Sequence, residues 1–459
     1  MKKVLIIVAL TLALREVVAQ VSIPLFVNKR DSVEYSLVWA AIMEITSSPQ
    51  RVDGYRDSKV KLDSLFRLQA RFRDRIIGYR IVYKADKKFT SYEDLRVGTI
   101  KPELVTRLSF ADNRLKSLPK EVFLCKNLTE LELVNTSIKK LPPKLNSLEK
   151  LQSIYVYNNS ISGKLRLGKN TKVKALVIRG VKSDNLPRTY KKFKMLDTLD
   201  LSRNIDLNTF PNIYKNKELN KLNLLENNIT LVDLKNISNN SLEELNLMKN
   251  KIKVVPDAIG SFAALKKLAF NYNEISEVKP GIGNLKKLES LSFYQNKLTV
   301  VPSGIFEITS LRVIDLYYNQ INTVGPEISK LKNLRVLFLA NNKLTSLPEN
   351  LGDLANLREL YLHNNRISYL PESLQQLKHL RVLRINTNQF TLFPSSVLVL
   401  RELENLDVSQ NFLHQFPSEL AEFIKLQILA LNGNPWENTT DVERIAEGLR
   451  SLGAVVQSK

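Results

Sequence analysis

The stretch LRVLFLANNKL, residues 334–344, contains the pattern that decides the fold. Leu334, Leu337, Leu339 and Leu344 alternate with variable residues around Asn342, so the frame is L-x-x-L-x-L-x-x-N-x-L. This frame recurs in steps of 22 or 23 residues over most of the chain. A fixed period of this length indicates a solenoid, in which each repeat forms one coil and packs against its neighbours.

The ninth position of the frame forms a ladder of fifteen rungs, thirteen of which are Asn. The ladder asparagines are Asn113, Asn159, Asn204, Asn227, Asn250, Asn273, Asn296, Asn319, Asn342, Asn365, Asn388, Asn411 and Asn434, and the other two rungs are Thr136 and Val181. A turn after a strand leaves backbone groups unpaired, and a buried amide offers both donors and acceptors. The ladder is therefore predicted to be structural, with its amides bonded to backbone in their own and adjacent coils.

Within each frame the L-x-L segment alternates with a period of two, which predicts a short strand. Leu337 and Leu339 are expected to face the core, whereas Val336, Phe338 and Ala340 face outward. Most copies continue as Leu-Pro-x-x-Leu-x-x-Leu, and this apolar spacing of three suits a short helix or 3₁₀ turns.

The frame and the Leu347-Pro348, Leu351 and Leu354 positions that follow it resemble the 23-residue form of the leucine-rich repeat family, over about three-quarters of the chain. The resemblance implies an α/β leucine-rich repeat solenoid. Such a solenoid is a curved horseshoe with a parallel β-sheet on its concave face and short helical or 3₁₀ segments on its convex face. The resemblance also implies a non-enzymatic binding module, most often for another protein. This form occurs in intracellular signalling scaffolds and in bacterial proteins.

Residues 1–19 are predicted to be a signal peptide, because Lys2 and Lys3 precede an apolar run and small or modest residues precede a cut at Gln20. No cysteine directly follows the apolar run, so a lipoprotein anchor is not expected. These features favour a bacterial protein that is secreted or periplasmic. The alternative is a cytoplasmic protein with an apolar start.

The remaining boundaries follow from where the frame starts and stops. Residues 20–100 lack it and are predicted to form a helical N-terminal cap, with a buried helix at Leu37–Ile45 and a basic amphipathic helix at Asp63–Ile77. The alternative for the basic helix is a surface for anionic lipid or an acidic partner. Residues 101–434 are the repeats. Residues 435–459 are predicted to form a C-terminal cap, with Trp436 over the last coil and a helix at Thr440–Leu452.

Catalytic and metal-binding motifs do not occur in the sequence, so we expect no enzyme activity and no cofactor. His363, His379 and His414 share no ligand spacing. The single cysteine, Cys125, occupies the place that Leu354 fills in its own repeat and is predicted to be a core residue. The net charge of +22 is interpreted as an aid to solubility or as attraction to an acidic surface. Nucleic acid is not the expected partner of a secreted repeat protein.

The binding surface is predicted from outward strand positions, because the fold leaves these residues free to vary. In the eighth to twelfth coils they hold a group of rings, Tyr272, Tyr294, Tyr317, Tyr318, Phe338, Tyr361 and His363, and a smaller pair, Tyr155 and Tyr157. Neighbouring strands lie about 4.8 Å apart, so the larger group is expected to be contiguous on the concave face. Aromatic anchors suit a protein interface, and they also suit sugar rings. The competing interpretation is ordinary packing of rings along a sheet.

Overall fold

The computed structural model describes residues 20–26, 76–83, 89–111, 114–157, 166–168, 172–181, 190–232, 234 and 239–458. The chain divides into two compact units, which are residues 1–187 and 188–459. The predicted signal peptide, the predicted helix at Leu37–Ile45 and the ladder residues Asn113 and Asn159 lie outside the described residues.

The described part of unit 1 is built from strands and short helical turns. Its strands are β1 (Gln20–Phe26), β2 (Ile76–Tyr83), β3 (Thr90–Ser91), β4 (Arg107–Phe110), β5 (Glu130–Val134), β6 (Lys140–Leu141), β7 (Ser153–Tyr157), β8 (Arg166–Leu167) and β9 (Ala175–Arg179). Its helices are α1 (Tyr92–Arg96) and the 3₁₀ helices Pro102–Leu104, Lys120–Leu124 and Pro143–Ser147.

Strands β3, β4, β5, β7 and β9 pair in parallel in that order, whereas β1 and β2 pair antiparallel with each other. The prediction that the basic helix runs to Ile77 is wrong at its end, because Ile76 and Ile77 belong to β2. The physical reason is visible in the sequence of β2, IIGYRIVY, which is rich in β-branched and aromatic residues. The rest of that predicted helix lies outside the described residues.

Unit 2 repeats one short strand per coil. Its strands are β10 (Thr198–Asp200), β11 (Lys221–Asn223), β12 (Glu244–Asn246), β13 (Val254–Val255), β14 (Lys267–Ala269), β15 (Glu277–Val278), β16 (Ser290–Ser292), β17 (Val313–Asp315), β18 (Val336–Phe338), β19 (Glu359–Tyr361), β20 (Val382–Arg384), β21 (Asn405–Asp407), β22 (Ile428–Ala430) and β23 (Val455–Gln457). Its one α-helix in the described range is α2 (Thr439–Ser451).

The parallel sheet of unit 2 runs from β10 to β23 and omits only β13 and β15, which pair with each other. Its register advances by one repeat per strand, so Val336 pairs with Val313 on one side and with Glu359 on the other. Leu334, Leu337 and Leu339 are fully buried, which confirms the core face of the frame. Ala340 was expected to face outward and is buried as well.

The return half of most coils in unit 2 is a 3₁₀ helix, as the spacing of apolar residues predicts. These helices are Tyr190–Lys192, Asp257–Ser261, Pro280–Asn284, Ser303–Glu307, Pro326–Lys330, Glu349–Asp353, Glu372–Gln376, Ser395–Val397 and Ser418–Glu422. The Leu-Pro proline commonly precedes the helix in extended conformation, as Pro348 does before Glu349–Asp353. A proline at this place has no N–H to lose from the helix. The two units therefore have the architecture of a leucine-rich repeat solenoid.

The ladder asparagines tie each coil to the one before it. The Asn342 side-chain amide donates to the Leu339 carbonyl in its own coil and to the Leu316 carbonyl in the preceding coil, both at 2.9 Å. Its Oδ1 accepts the backbone N–H of Ile321 at 2.9 Å. The residue before each described rung from Asn204 to Asn434 has positive φ, for example 54° at Asn341. The chain thus turns sharply there and directs the amide inward.

The C-terminal segment closes unit 2. Helix α2 begins after Asn438, whose side chain accepts the Asp441 N–H, and β23 adds in parallel to β22. The Trp436 indole is buried and donates to the Leu431 carbonyl at 3.0 Å. These contacts place Trp436 and α2 against the last coil.

Candidate binding surface

The seven predicted site residues lie on or directly after five neighbouring strands of unit 2, from β14 to β19. We call Tyr272, Tyr294, Tyr317, Tyr318, Phe338, Tyr361 and His363 the aromatic strip. Phe338 and Tyr361 lie within β18 and β19, and the others follow the ends of their strands by two or three residues. Parallel pairing of β14 through β19 brings these positions side by side.

Four tyrosines form the first part of the strip. The Tyr294 and Tyr317 rings are stacked, with centroids 5.7 Å apart and planes at 9°. Tyr272 packs against Tyr294 at 5.1 Å, and Tyr318 packs edge-on against Tyr317 at 4.7 Å. Tyr272 and Tyr318 remain 40% and 39% exposed, whereas the two stacked rings are half-buried. The outer tyrosines therefore offer the accessible area of this cluster.

His363 extends the tyrosine cluster to β19. Its Nε2 lies 2.7 Å from the Tyr317 hydroxyl, and its Nδ1 is buried without a hydrogen-bond partner among the described residues. Burial, with a smaller contribution from the charge of Arg384, lowers the pKa of His363 to about 4. The imidazole is therefore neutral at physiological pH.

Phe338 and Tyr361 form the second part of the strip. Their rings are stacked with centroids 4.6 Å apart and planes at 18°. The Tyr361 hydroxyl donates to Glu359 at 2.7 Å, and the Arg384 guanidinium lies 5.8 Å from the Tyr361 ring centroid. This pair thus packs internally and is bordered by one acidic and one basic side chain.

Burial makes three tyrosines of the strip resistant to ionisation. It raises the pKa of Tyr317 to about 12 and also raises the pKa values of Tyr294 and Tyr361. The hydroxyls consequently keep their protons at physiological pH. The strip can donate and accept hydrogen bonds without bringing a charge into the contact.

Asp315 lies in β17 and is a buried acid beside the strip that sequence reasoning missed. It accepts the Ser292 hydroxyl at 2.8 Å and the Tyr317 backbone N–H at 3.1 Å. Burial raises its pKa to about 6 in spite of these bonds. The available signal was an Asp at an outward strand position, one repeat before Phe338.

The second aromatic pair, Tyr155 and Tyr157 of unit 1, does not form a comparable surface. Tyr157 is fully buried and Tyr155 is 8% exposed, because they pack with Val134 and Val177 and Phe89 lies edge-on to Tyr155 at 6.2 Å. The expectation that this pair is an exposed site is therefore wrong. These rings belong to a core on the outward face of the unit 1 sheet.

A family model described as a leucine-rich repeat region matches residues 219–340 and 312–458. The two matches together span residues 219–458, which is more than half of the chain. The chain belongs to the leucine-rich repeat family. No curated protein matches this leucine-rich repeat protein at a significant level.

Solved structures show the same fold. A leucine-rich repeat protein of Leptospira interrogans is 27% identical, with a TM-score of 0.61, and the match covers 82% of this chain and 100% of that one. Toll-like receptor 13 in complex with ssRNA13 is 21% identical, with a TM-score of 0.58, over 76% of this chain and 57% of that one. An internalin of Listeria monocytogenes is 19% identical, with a TM-score of 0.50, over 83% of this chain and 90% of that one.

Other chemistry-bearing residues of this leucine-rich repeat protein do not converge with the strip. Cys125 is buried, as predicted, and burial raises its pKa to about 11, so the reactive thiolate is not populated. His379 and His414 lie in other coils, and the described residues contain no group of three ligands that could hold a metal ion. None of the described helices is long and apolar enough to cross a membrane.

Proposed function

We propose that this leucine-rich repeat protein is a non-catalytic scaffold that binds a protein partner on the concave face of its sheet, with the aromatic strip as the contact. The observation that supports this proposal is the concentration of seven rings on neighbouring coils, at positions that do not belong to the repeat frame. Tyrosine supplies large, rigid contact area with a polar tip, which is typical of anchors in protein interfaces.

Ring orientation favours a protein over a glycan partner. A sugar packs its apolar face on the face of an aromatic ring, but Phe338 and Tyr361 stack on each other, as do Tyr294 and Tyr317. Their faces are partly occupied, and ring edges and hydroxyls remain for a partner. We therefore place the glycan alternative second.

The proposal includes a location. We propose a secreted or periplasmic bacterial protein, on the strength of the charged and apolar start of the sequence, which fits a signal peptide at residues 1–19. The domain boundaries at residues 19, 100 and 434 belong to the same proposal.

The test is capture of partners from the native cell envelope by immobilised full chain, compared across matched variants. Tyr317→Ala and Phe338→Ala truncate the strip, and Tyr369→Ala and Phe412→Ala truncate rings of the same types that are 54% and 56% exposed elsewhere. We expect a partner that the parent and the two control variants retain and that both strip variants release. Truncation of a central anchor costs about 2 kcal/mol or more, whereas a rim position costs close to zero.

A third strip variant separates binding from stability. Tyr318 has φ of 55°, a conformation that Asn adopts readily, so Tyr318→Asn removes an exposed ring without backbone strain. Ser409 is unsuitable as a neutral control, because it is buried and donates to Asp407 at 2.6 Å. If all strip and control variants capture the partner equally well, the binding surface lies elsewhere, and the rings of the strip only pack against one another along the sheet.

A further inference from the structure

Four arginines occupy the same position, immediately before the strand, in four successive coils. They are Arg312, Arg335, Arg358 and Arg381, and we call them the arginine row. The backbone N–H of Arg335 donates to the Arg312 carbonyl, Arg358 to Arg335 and Arg381 to Arg358, each at 2.8 Å. All four side chains are exposed. The backbones of the four arginines are thus held at intervals of one strand spacing, about 4.8 Å.

The fold does not require this row. In the preceding coils the same position alternates in sign, and Lys266 pairs with Glu243 at 2.7 Å. Only the ends of the row are neutralised, Arg312 by Glu289 at 3.8 Å and Arg381 by Glu404 at 3.3 Å. Among the described residues, Arg335 and Arg358 have no ion-pair partner. Like charges opposite each other on neighbouring strands are destabilising, so the row costs stability that alternation would avoid.

A cleft lies at one end of the row. It has a volume of about 140 Å³ and is lined by Asn356, Arg358, His379, Arg381 and Glu402. The one acid in this lining, Glu402, is paired with Lys425 at 2.6 Å. Two arginines, an asparagine and a histidine therefore line a space of a size that suits a small anionic group, and Arg358 is the arginine of this lining that has no ion-pair partner among the described residues. Arginine is the side chain best matched to the two oxygens of a carboxylate.

The row and the strip share strands. Arg335 precedes Phe338 by three residues, and Arg358 precedes Tyr361 by the same number. Three residues of strand span about 10 Å, which is about the diameter of an α-helix. Residues at i and i+4 of a helix have Cβ atoms about 5–6 Å apart, close to the backbone spacing of the row. A helix lying across β17–β20 can therefore place acidic residues on the arginines and apolar residues on the rings.

We propose that the arginine row recognises an acidic amphipathic helix of the partner protein, with its carboxylates on Arg335 and Arg358 and its apolar face on Phe338 and Tyr361. The assignment rests on the proposed function, since it names the chemistry of the protein that the strip binds. A sulfated polysaccharide would satisfy the guanidinium groups but would leave the apolar strip without a complementary surface.

The test uses a fluorescein-labelled helical peptide of about 15 residues with Glu at every fourth position and Leu on the adjacent face. Its affinity for full-length chain is measured by fluorescence anisotropy at constant ionic strength. The double variant Arg335→Gln/Arg358→Gln is compared with Lys217→Gln/Lys253→Gln, which removes the same charge at exposed positions outside the row. We expect the arginine variant to bind about tenfold more weakly or worse and the lysine variant to bind within about twofold of the parent.

Two further ligands and one outcome of the variant comparison separate the explanations. A peptide with Gln in place of Glu should bind the parent more weakly and be indifferent to the arginine substitutions. Equal weakening by the two double variants would overturn the proposal, because net charge alone would then explain binding. The third explanation is tested with a heparin hexasaccharide. If the arginine substitutions weaken binding of this hexasaccharide but not of the Glu peptide, the proposed acidic helix is overturned in favour of a sulfated polysaccharide.

Phe338→Ala with the same peptide distinguishes this proposal from the one on which it rests. Loss of affinity in Phe338→Ala with no loss in the arginine variant would leave the strip as a protein-binding surface and refute only the acidic partner. Loss in the arginine variant alone would refute the strip and with it the bipartite site. Unchanged circular dichroism melting curves must accompany each variant, which exposed Arg→Gln substitutions should satisfy.

Discussion

Both units hold tyrosines at outward positions of the repeat, yet the units differ in what covers these rings. In unit 1, Tyr155 and Tyr157 are buried with Val134 and Val177, and Phe89 from outside the repeats packs on them. In unit 2, Tyr272 and Tyr318 keep about two-fifths of their surface exposed. The comparison teaches that an aromatic residue at a free repeat position is a binding candidate only where no other segment covers it.

The largest expected difference between the faces is in stability. Tyr157→Ala should lower the free energy of unfolding by about 3–5 kcal/mol, because it opens a cavity in a fully buried site. Tyr318→Asn removes a ring that is 39% exposed and should change the free energy of unfolding by less than about 0.5 kcal/mol. Urea unfolding followed by circular dichroism measures both. Similar losses in the two variants would mean that the strip of unit 2 is as structural as the covered face of unit 1.

The next prediction tests whether water reaches the side chain of Asp315, which lies beside the strip. The folded pKa of Asp315 is raised from 3.8 to about 6 by burial, so the native state holds this proton more tightly than the unfolded chain. Its contribution to stability is therefore fully present below about pH 4 and is lost as pH rises through about 6. Between about pH 4.5 and about pH 7 the parent should lose about 2 kcal/mol of unfolding free energy that Asp315→Asn does not lose.

Urea unfolding at the two pH values measures this difference. Asp206→Asn, at an exposed position in unit 2, serves as the control and should follow the parent. A parallel pH dependence of Asp315→Asn and the parent would show that water reaches Asp315, and that the strip does not seal the face.

The last comparison concerns the ladder, which is complete in unit 2 but has Thr136 and Val181 in unit 1. Asn342→Val should cost about 1–3 kcal/mol, because the Leu316 and Leu339 carbonyls and the Ile321 N–H lose a buried partner. Lys343→Ala, at the exposed neighbouring position, is the control and should cost much less. If the two variants unfold at the same urea concentration, the amide is not what joins these coils.

Most of the fold could be predicted because the same repeat frame recurs many times in the sequence. Leu337 and Leu339 lie in the core and the 3₁₀ helix Glu349–Asp353 follows Pro348, as the spacing indicates. The frame also places Phe338 and Tyr361 on neighbouring strands, where they do meet.

Other features could not be predicted because they depend on contacts outside the frame. The burial of Tyr157 depends on the segment before the repeats, which has no periodic signal. The loss of exposed area at Tyr317 depends on Tyr294, Tyr318 and His363 packing against it, which spacing alone does not reveal. The predicted basic helix ends too late, because the β-branched and aromatic residues of β2 favour a strand from Ile76 onward.

The constant offsets of the asparagine bonds have a consequence for how such a chain can change in length. From Asn250 to Asn434 each side-chain amide reaches back 26 residues to a carbonyl and 21 residues to an N–H, as the first and last of these rungs show. Deleting or duplicating 23 residues anywhere in this span replaces every such bond by an equivalent one, whereas inserting a single residue disrupts both offsets at that coil. Recombination that adds or removes whole repeats can therefore lengthen or shorten the face that holds the strip while every coil keeps the same asparagine hydrogen bonds.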